Sequence, residues 1–101
     1  MQKGLTNTNS RSRSQIVIQI LEAVNDYGED RMGLIKTTLM YEIFLSSNQL
    51  KEYLVALTAH GLLHYDSATH TYNTTKTGLR FLDLWYKMRD MVEEQLYCYY
   101  N

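Results

Sequence analysis

The chain has 101 residues, 45% of them hydrophobic, a net charge of -1 and a single cysteine. That length holds one small domain rather than two, and that apolar content carries a folded core, which excludes disorder along most of the chain. One cysteine excludes an internal disulfide, and a near-neutral balance counts against a protein that coats nucleic acid by bulk positive charge.

The charge is unevenly placed. Residues 1–14 carry Lys3, Arg11 and Arg13 and no acid, whereas from Asp90 onward there are three acids and no base. Local potential is what a phosphate feels, so a neutral chain can still present a positive front. No apolar run approaches the length of a membrane span, and the polar N-terminus lacks the apolar stretch of a signal peptide. The expectation is a soluble protein of the cytoplasm with no membrane contact.

Residues 1–11 have no period and many turn formers, and read as a flexible arm. A helix begins at Ser12 or Ser14. Val17, Ile20, Leu21 and Val24 fall at helical spacing, Ile16 and Ile18 widen the apolar face, and Asn25-Asp26-Tyr27-Gly28 closes it. Glu29 to Gly33 is a loop, and Leu34-Ile35-Lys36 is long enough only for an edge strand. A second helix starts near Thr37 or Thr38 and runs to about Phe44, with Leu39, Met40 and Ile43 inward.

The next helix carries the strongest local signals. Ser46 followed by Gln49 is a capping box, and Leu45 with Leu50 is placed as a hydrophobic staple. Leu50, Leu54 and Leu57 form a single apolar stripe, and Gly61 supplies a left-handed end. Ser47, Asn48, Lys51 and Glu52 lie on the polar face near its start. Two helices joined by so short a turn form a helix-turn-helix.

Leu62 to Asp66 and Thr71 to Thr74 read as two short strands, joined by a turn without glycine and therefore longer than two residues. From Thr74 or Thr75 a last helix can run to about Tyr100, about 26 residues or roughly 39 Å. Leu79 and Leu82 can face the domain. Phe81, Trp85, Met88, Val92, Leu96 and Tyr99 form a seam close to a coiled-coil repeat, flanked by the pairs Asp83–Lys87 and Arg89–Glu93. An apolar seam with no further chain to cover it calls for a partner, and a second copy is the simplest.

Helix, short strand, helix, helix, two strands, helix is the order of a winged helix. The segments Arg13-Ser14-Gln15-Ile16-Val17, Lys36-Thr37-Thr38-Leu39-Met40-Tyr41, Gln49-Leu50-Lys51-Glu52-Tyr53-Leu54, Gly61-Leu62-Leu63 and Thr75-Lys76-Thr77-Gly78 with Phe81-Leu82 carry a resemblance. Over about residues 11–96 the chain resembles the small archaeal winged-helix family whose members dimerise through a C-terminal antiparallel coiled coil. The resemblance implies a homodimeric protein that binds double-stranded DNA, a transcriptional regulator or a nucleoid-associated protein. It implies the helix Ser46 to His60 in the major groove and the hairpin around residues 66–70 as a wing on the backbone or minor groove. The chain departs from that pattern in its low net charge and in a wing, Asp66 to His70, without Lys or Arg.

The expected fold class is therefore α+β, mainly helical: a winged helix-turn-helix at residues 12–78, preceded by the arm and followed by a dimerisation helix at 79–101. The expected DNA-binding residues are Arg11, Arg13, Lys36, Thr37, Ser47, Asn48 and Lys51. Asn48 has the side chain to pair with adenine, Lys51 donates to guanine or phosphate, and Glu52 repels phosphate unless it accepts from a cytosine amino group. Lys36 and Thr37 open a helix whose amides can hold a phosphate, and Arg11 and Arg13 can grip phosphate or enter the minor groove. His60, His64 and His70 have no carboxylate or cysteine at metal-ligand spacing, and no nucleophile, phosphate loop or acid pair points to catalysis. No enzyme activity, cofactor or small-molecule ligand is expected. The rival reading is a winged helix that uses the same surfaces for a protein partner.

Overall fold

The computed structural model describes residues 11–28 and 33–100, and side chains at all of these except 27–28 and 95–100. Its elements are α1 (Arg13–Gly28), α2 (Lys36–Ile43), α3 (Ser47–Ala59), β1 (Leu63–Asp66), β2 (Thr71–Thr74) and α4 (Lys76–Tyr100). This is the mainly helical α+β winged arrangement that the sequence predicts, with a long C-terminal helix. The arm at residues 1–10, the loop at 29–32 and the side chains of Leu96 and Tyr99 lie outside the described residues.

Three of the four helices start on a side-chain oxygen. The Ser12 hydroxyl accepts from the Gln15 amide at 3.1 Å, while Gln15 Oε1 accepts from the Ser12 amide at 2.8 Å. The same reciprocal box opens α3, with Gln49 donating to Ser46 Oγ at 3.2 Å and Ser46 donating back at 3.1 Å. At α4 the Thr75 hydroxyl accepts from the Gly78 amide at 3.0 Å. Each box satisfies amides that the helix leaves without an internal partner, worth about 1 kcal/mol. The exception is α2, whose N-cap, Ile35, has no side chain that can accept.

The end of α3 sets the direction of the wing. Gly61 takes φ 77°, the Leu62 amide donates to the Leu57 carbonyl at 2.9 Å, and the Gly61 amide donates to Thr58 at 3.1 Å. This double closure turns the chain straight into β1. β1 and β2 pair antiparallel, with Leu63 opposite Thr74 and Tyr65 opposite Tyr72. The connection takes four residues, with His70 at φ 57°. The expected edge strand at Leu34–Lys36 reduces to a single bridge, with hydrogen bonds of 3.0 and 2.7 Å between Leu34 and Tyr72. Only Leu34 and Ile35 stand between Gly33 and the first turn of α2, so the backbone has no length for a strand.

The largest fully buried side chains are Ile20 and Leu21 of α1, Leu34, Leu39 of α2, Leu50 and Leu54 of α3, and Leu63 of β1. α4 adds Leu82 to this core, with Trp85 and Tyr86 half-buried against it. Its first turn is pinned to the end of α3. The Thr75 hydroxyl donates to the Gly61 carbonyl at 2.6 Å, and a Cβ at Gly78 would stand 2.3 Å from the Leu62 carbonyl oxygen. Only a glycine permits that approach. It also sets the rotation of α4, and Leu79, expected to face the domain, is 43% exposed in consequence. The expected Arg89–Glu93 pair is likewise replaced. Arg89 bonds Asp90 at 3.2 Å and lies over the Tyr86 ring, whereas Asp83–Lys87 forms as expected at 3.0 Å.

Tyr86 ties α4 to α1 by donating its hydroxyl to the Glu22 carboxylate. Burial first, then the bond to Glu22 and the charges of Glu22 and Asp26, push its pKa up to about 12, with Arg89 opposing. An unfolded tyrosine loses its proton near pH 10. The contribution is therefore complete below about pH 10 and is lost as pH rises towards about 12. Tyr86→Phe should flatten that alkaline fall in stability, read as the change in urea midpoint between pH 9 and pH 11. Equal slopes for the two proteins would show that Tyr86 does not titrate with unfolding.

The α2–α3 turn carries a second strained feature. Phe44 adopts φ 59°, ψ 47° with its side chain 74% exposed, so it pays the steric cost of the left-handed region while burying little. Phe44→Gly should stabilise the fold by about 0.5–1 kcal/mol, the steric relief less the entropy that glycine loses. A rise in urea midpoint checks it; no rise would mean that the exposed ring carries unrecognised contacts.

Candidate nucleic-acid interface

The outward face of α3 is built by the same spacing that builds its inward one. With Leu50, Leu54 and Leu57 fixed in the core, Ser47, Asn48, Lys51, Glu52 and Val55 are all exposed. Asn48, Lys51, Glu52 and Val55 recur at i, i+3, i+4 and i+7, and together line one shallow depression. A second depression, lined by Arg13, Glu52, Tyr53 and Ala56, adjoins it through Glu52. Arg13, the first residue of α1, is thereby set beside the middle of α3. Tyr53 is half-buried against the core at the edge of this surface.

Among the described residues, Arg13, Lys36 and Lys51 take part in neither of the ion pairs found, which are Asp83–Lys87 and Arg89–Asp90. Glu52 is the one acid among the described residues in the two depressions. At α2 the first-turn amides lack a side-chain cap, since Ile35 stands at the N-cap, and Lys36 and the exposed Thr37 follow directly. Open amides and the positive end of a helix dipole suit an anion, and Lys36 adds charge there.

Arg11 is placed differently from the other expected contacts. Its guanidinium donates to Gln19 Oε1 and, at 3.5 Å, to the Phe44 carbonyl. It lines a groove between α1 and the end of α2 with Glu22, Asp26 and Glu42. Arg13, Ser47, Asn48 and Lys51 thus share α3 and its flank, Lys36 and Thr37 sit at the start of α2, and Arg11 is turned into an acidic groove. Val55 is 61% exposed at the end of the row that starts at Asn48. An isolated valine in a helix reads as core by residue type, whereas its spacing from Asn48 and Lys51 places it outward.

The wing is held by its own aromatic residues. Tyr65 and Tyr72 pack with ring centroids 4.9 Å apart, and the Tyr65 hydroxyl lies 2.9 Å from His70 Nδ1. Burial, and to a lesser degree Tyr65, raise the Tyr72 pKa. In the turn, Asp66 Oδ1 accepts from the Ala68 amide at 2.9 Å. The wing therefore offers aromatic, hydroxyl and imidazole groups and one carboxylate, and no Lys or Arg.

α4 exposes an apolar stripe. Phe81, Leu84, Met88, Met91 and Val92 are 39–67% exposed and fall within one side of the helix. Trp85, expected in the same seam, is half-buried and lies between this stripe and the core. Leu84 and Met91 widen the expected single line of residues into a stripe two residues across. Among the described residues no helix is long and apolar enough to cross a membrane.

A comparison with family models matches residues 10–93 to one described as "Winged helix-turn-helix". No match among curated proteins was found.

Proposed function

This chain belongs to the winged helix-turn-helix family, and we propose that it binds double-stranded DNA as a homodimer and acts as a sequence-preferring transcriptional regulator of archaeal type. The observation that carries this is the outward face of α3, where Asn48 and Lys51 stand exposed beside Arg13, and where neither Lys51 nor Arg13 takes part in an ion pair among the described residues. Residues 12–78 form the DNA-reading unit, and residues 79–101 join two copies. Arg13, Lys36 and Lys51 contact phosphates and fix the register, while Ser47 and Asn48 meet base edges. Thr37 adds its amide to the phosphate site at α2. Arg11 is a weaker contributor because it is held by Gln19 and Phe44. Such a protein works in the cytoplasm, on the nucleoid.

Fluorescence anisotropy of the full chain on duplex DNA at several salt concentrations tests this. Six phosphate contacts from two copies should give a slope of log affinity against log salt of about -5.4. A preferred sequence recovered by in vitro selection separates a regulator from a nucleoid-associated protein, which would bind random and selected duplexes alike. The second reading, a winged helix given over to a protein partner, is favoured by the wing, whose turn carries Asp66 and no Lys or Arg. Micromolar duplex binding that falls steeply with salt would exclude it.

A further inference from the structure

The outward face of α3 carries two side chains that a phosphate-gripping surface has no use for. Glu52 repels phosphate, and Val55 leaves a branched apolar side chain 61% exposed between polar neighbours. Both make sense against base edges in the major groove, where cytosine presents an amino donor and thymine a methyl group. The spacing fits. Asn48 to Val55 spans about 10 Å of helix axis, which is about three base steps. The depression lined by Asn48, Lys51, Glu52 and Val55 is open enough to receive base edges, and Lys51 lies between the residues at its two ends.

We propose that Val55 is a specificity-determining residue that packs on the 5-methyl group of a thymine in the major groove. This rests on the reading of α3 as the helix that meets DNA. β-Branched valine offers two methyl groups on a stiff side chain, so it makes the contact without losing rotamer freedom. Glu52, one turn earlier, keeps the same part of the helix away from the phosphates and directs it to the groove floor. The ligand chemistry is thus a B-form duplex with a 5-methyl pyrimidine at one defined position, and 5-methylcytosine would satisfy the same contact where its partner base is tolerated.

The test first selects preferred duplexes for the full-length protein and then replaces each thymine, singly, by deoxyuridine, which deletes only the methyl group. At one position the wild type should lose about four-fold in affinity, the worth of one buried methyl. Val55→Ala should bind the thymine duplex and the singly substituted deoxyuridine duplex equally, about sixteen-fold more weakly than the wild type binds the thymine duplex, because both copies lose the contact. Its exposure at this position means that the substitution leaves the fold intact, which an unchanged urea midpoint would verify. A wild type indifferent to every methyl deletion overturns the proposal, as does a Val55→Ala protein that keeps the full four-fold effect. Binding without any sequence preference also overturns it while leaving duplex binding intact. No duplex binding at all overturns both this proposal and the functional reading on which it stands.

Discussion

Lys51→Ala is expected to weaken duplex binding about 30-fold at 0.15 M salt, on preferred and random sequences alike. The size follows from counterion release. Each phosphate contact contributes about 0.9 to the salt slope, which at that salt is worth roughly five-fold in affinity, and a dimer loses two contacts. The slope should fall from about -5.4 to about -3.6. Lys51 is the strongest candidate for this effect because it is exposed, unpaired among the described residues, and set in the depression on the α3 face beside Asn48. Lys87→Ala is the control, since Lys87 already pairs with Asp83 at 3.0 Å on α4.

Asn48→Ala should behave differently. Its loss should fall on one base pair, costing about 1–3 kcal/mol on the preferred duplex and little on random DNA. Anisotropy titrations at three salt concentrations separate the two patterns. A Lys51→Ala protein with unchanged affinity and unchanged slope would remove α3 from the interface, and would favour a protein partner for this face.

How much of this surface could be read from residues alone depends on the range of the interaction involved. The capping box of Ser46 and Gln49, the stripe of Leu50, Leu54 and Leu57 and the Gly61 closure act within one or two turns, and all three are present as expected. The hairpin register follows from the same kind of local alternation. What was not legible depends on contacts distant in sequence. Leu79 points outward because Gly78 meets the Leu62 carbonyl, an approach no helical period records. Arg11 reaches across to Phe44, thirty-three residues away, through a bond that charge counting alone assigns to DNA. Phe44 itself takes a left-handed conformation that turn chemistry reserves for glycine or asparagine.

The site shows the same division. Exposure of Ser47, Asn48 and Lys51 follows from the phase of one helix, and the structure agrees with it. That Arg13 joins them depends on the packing of α1 beside α3, and only the fold shows the two flanking one depression. Val55 was hidden by residue type rather than by distance. An apolar residue is assigned to the core by default, although its position on the wheel was already outward.

Met88→Asp is expected to convert a dimer into a folded monomer. α4 runs for 25 residues, but beyond Tyr86 the described part of the helix makes no buried contact with its own domain. Phe81, Leu84, Met88, Met91 and Val92 remain exposed, an apolar stripe that a single copy leaves in water. Met88 lies in the middle of that stripe and is 52% exposed, so a charge there should not disturb the domain core. In a symmetric pair each substitution counts twice. Losing the burial of a methionine on both sides costs about 3–6 kcal/mol, or roughly two to four powers of ten in the dimer Kd, before the cost of burying two carboxylates is added. Light scattering on a size-exclusion column should give the wild type a mass near twice 11.9 kDa and the variant that of one chain, with unchanged far-ultraviolet dichroism. Because dissociation halves the phosphate contacts, the variant should also halve the salt slope and lose DNA affinity more severely than Lys51→Ala does. A wild type that is monomeric at micromolar concentration, or a Met88→Asp protein that stays dimeric, would show that this stripe does not join two copies.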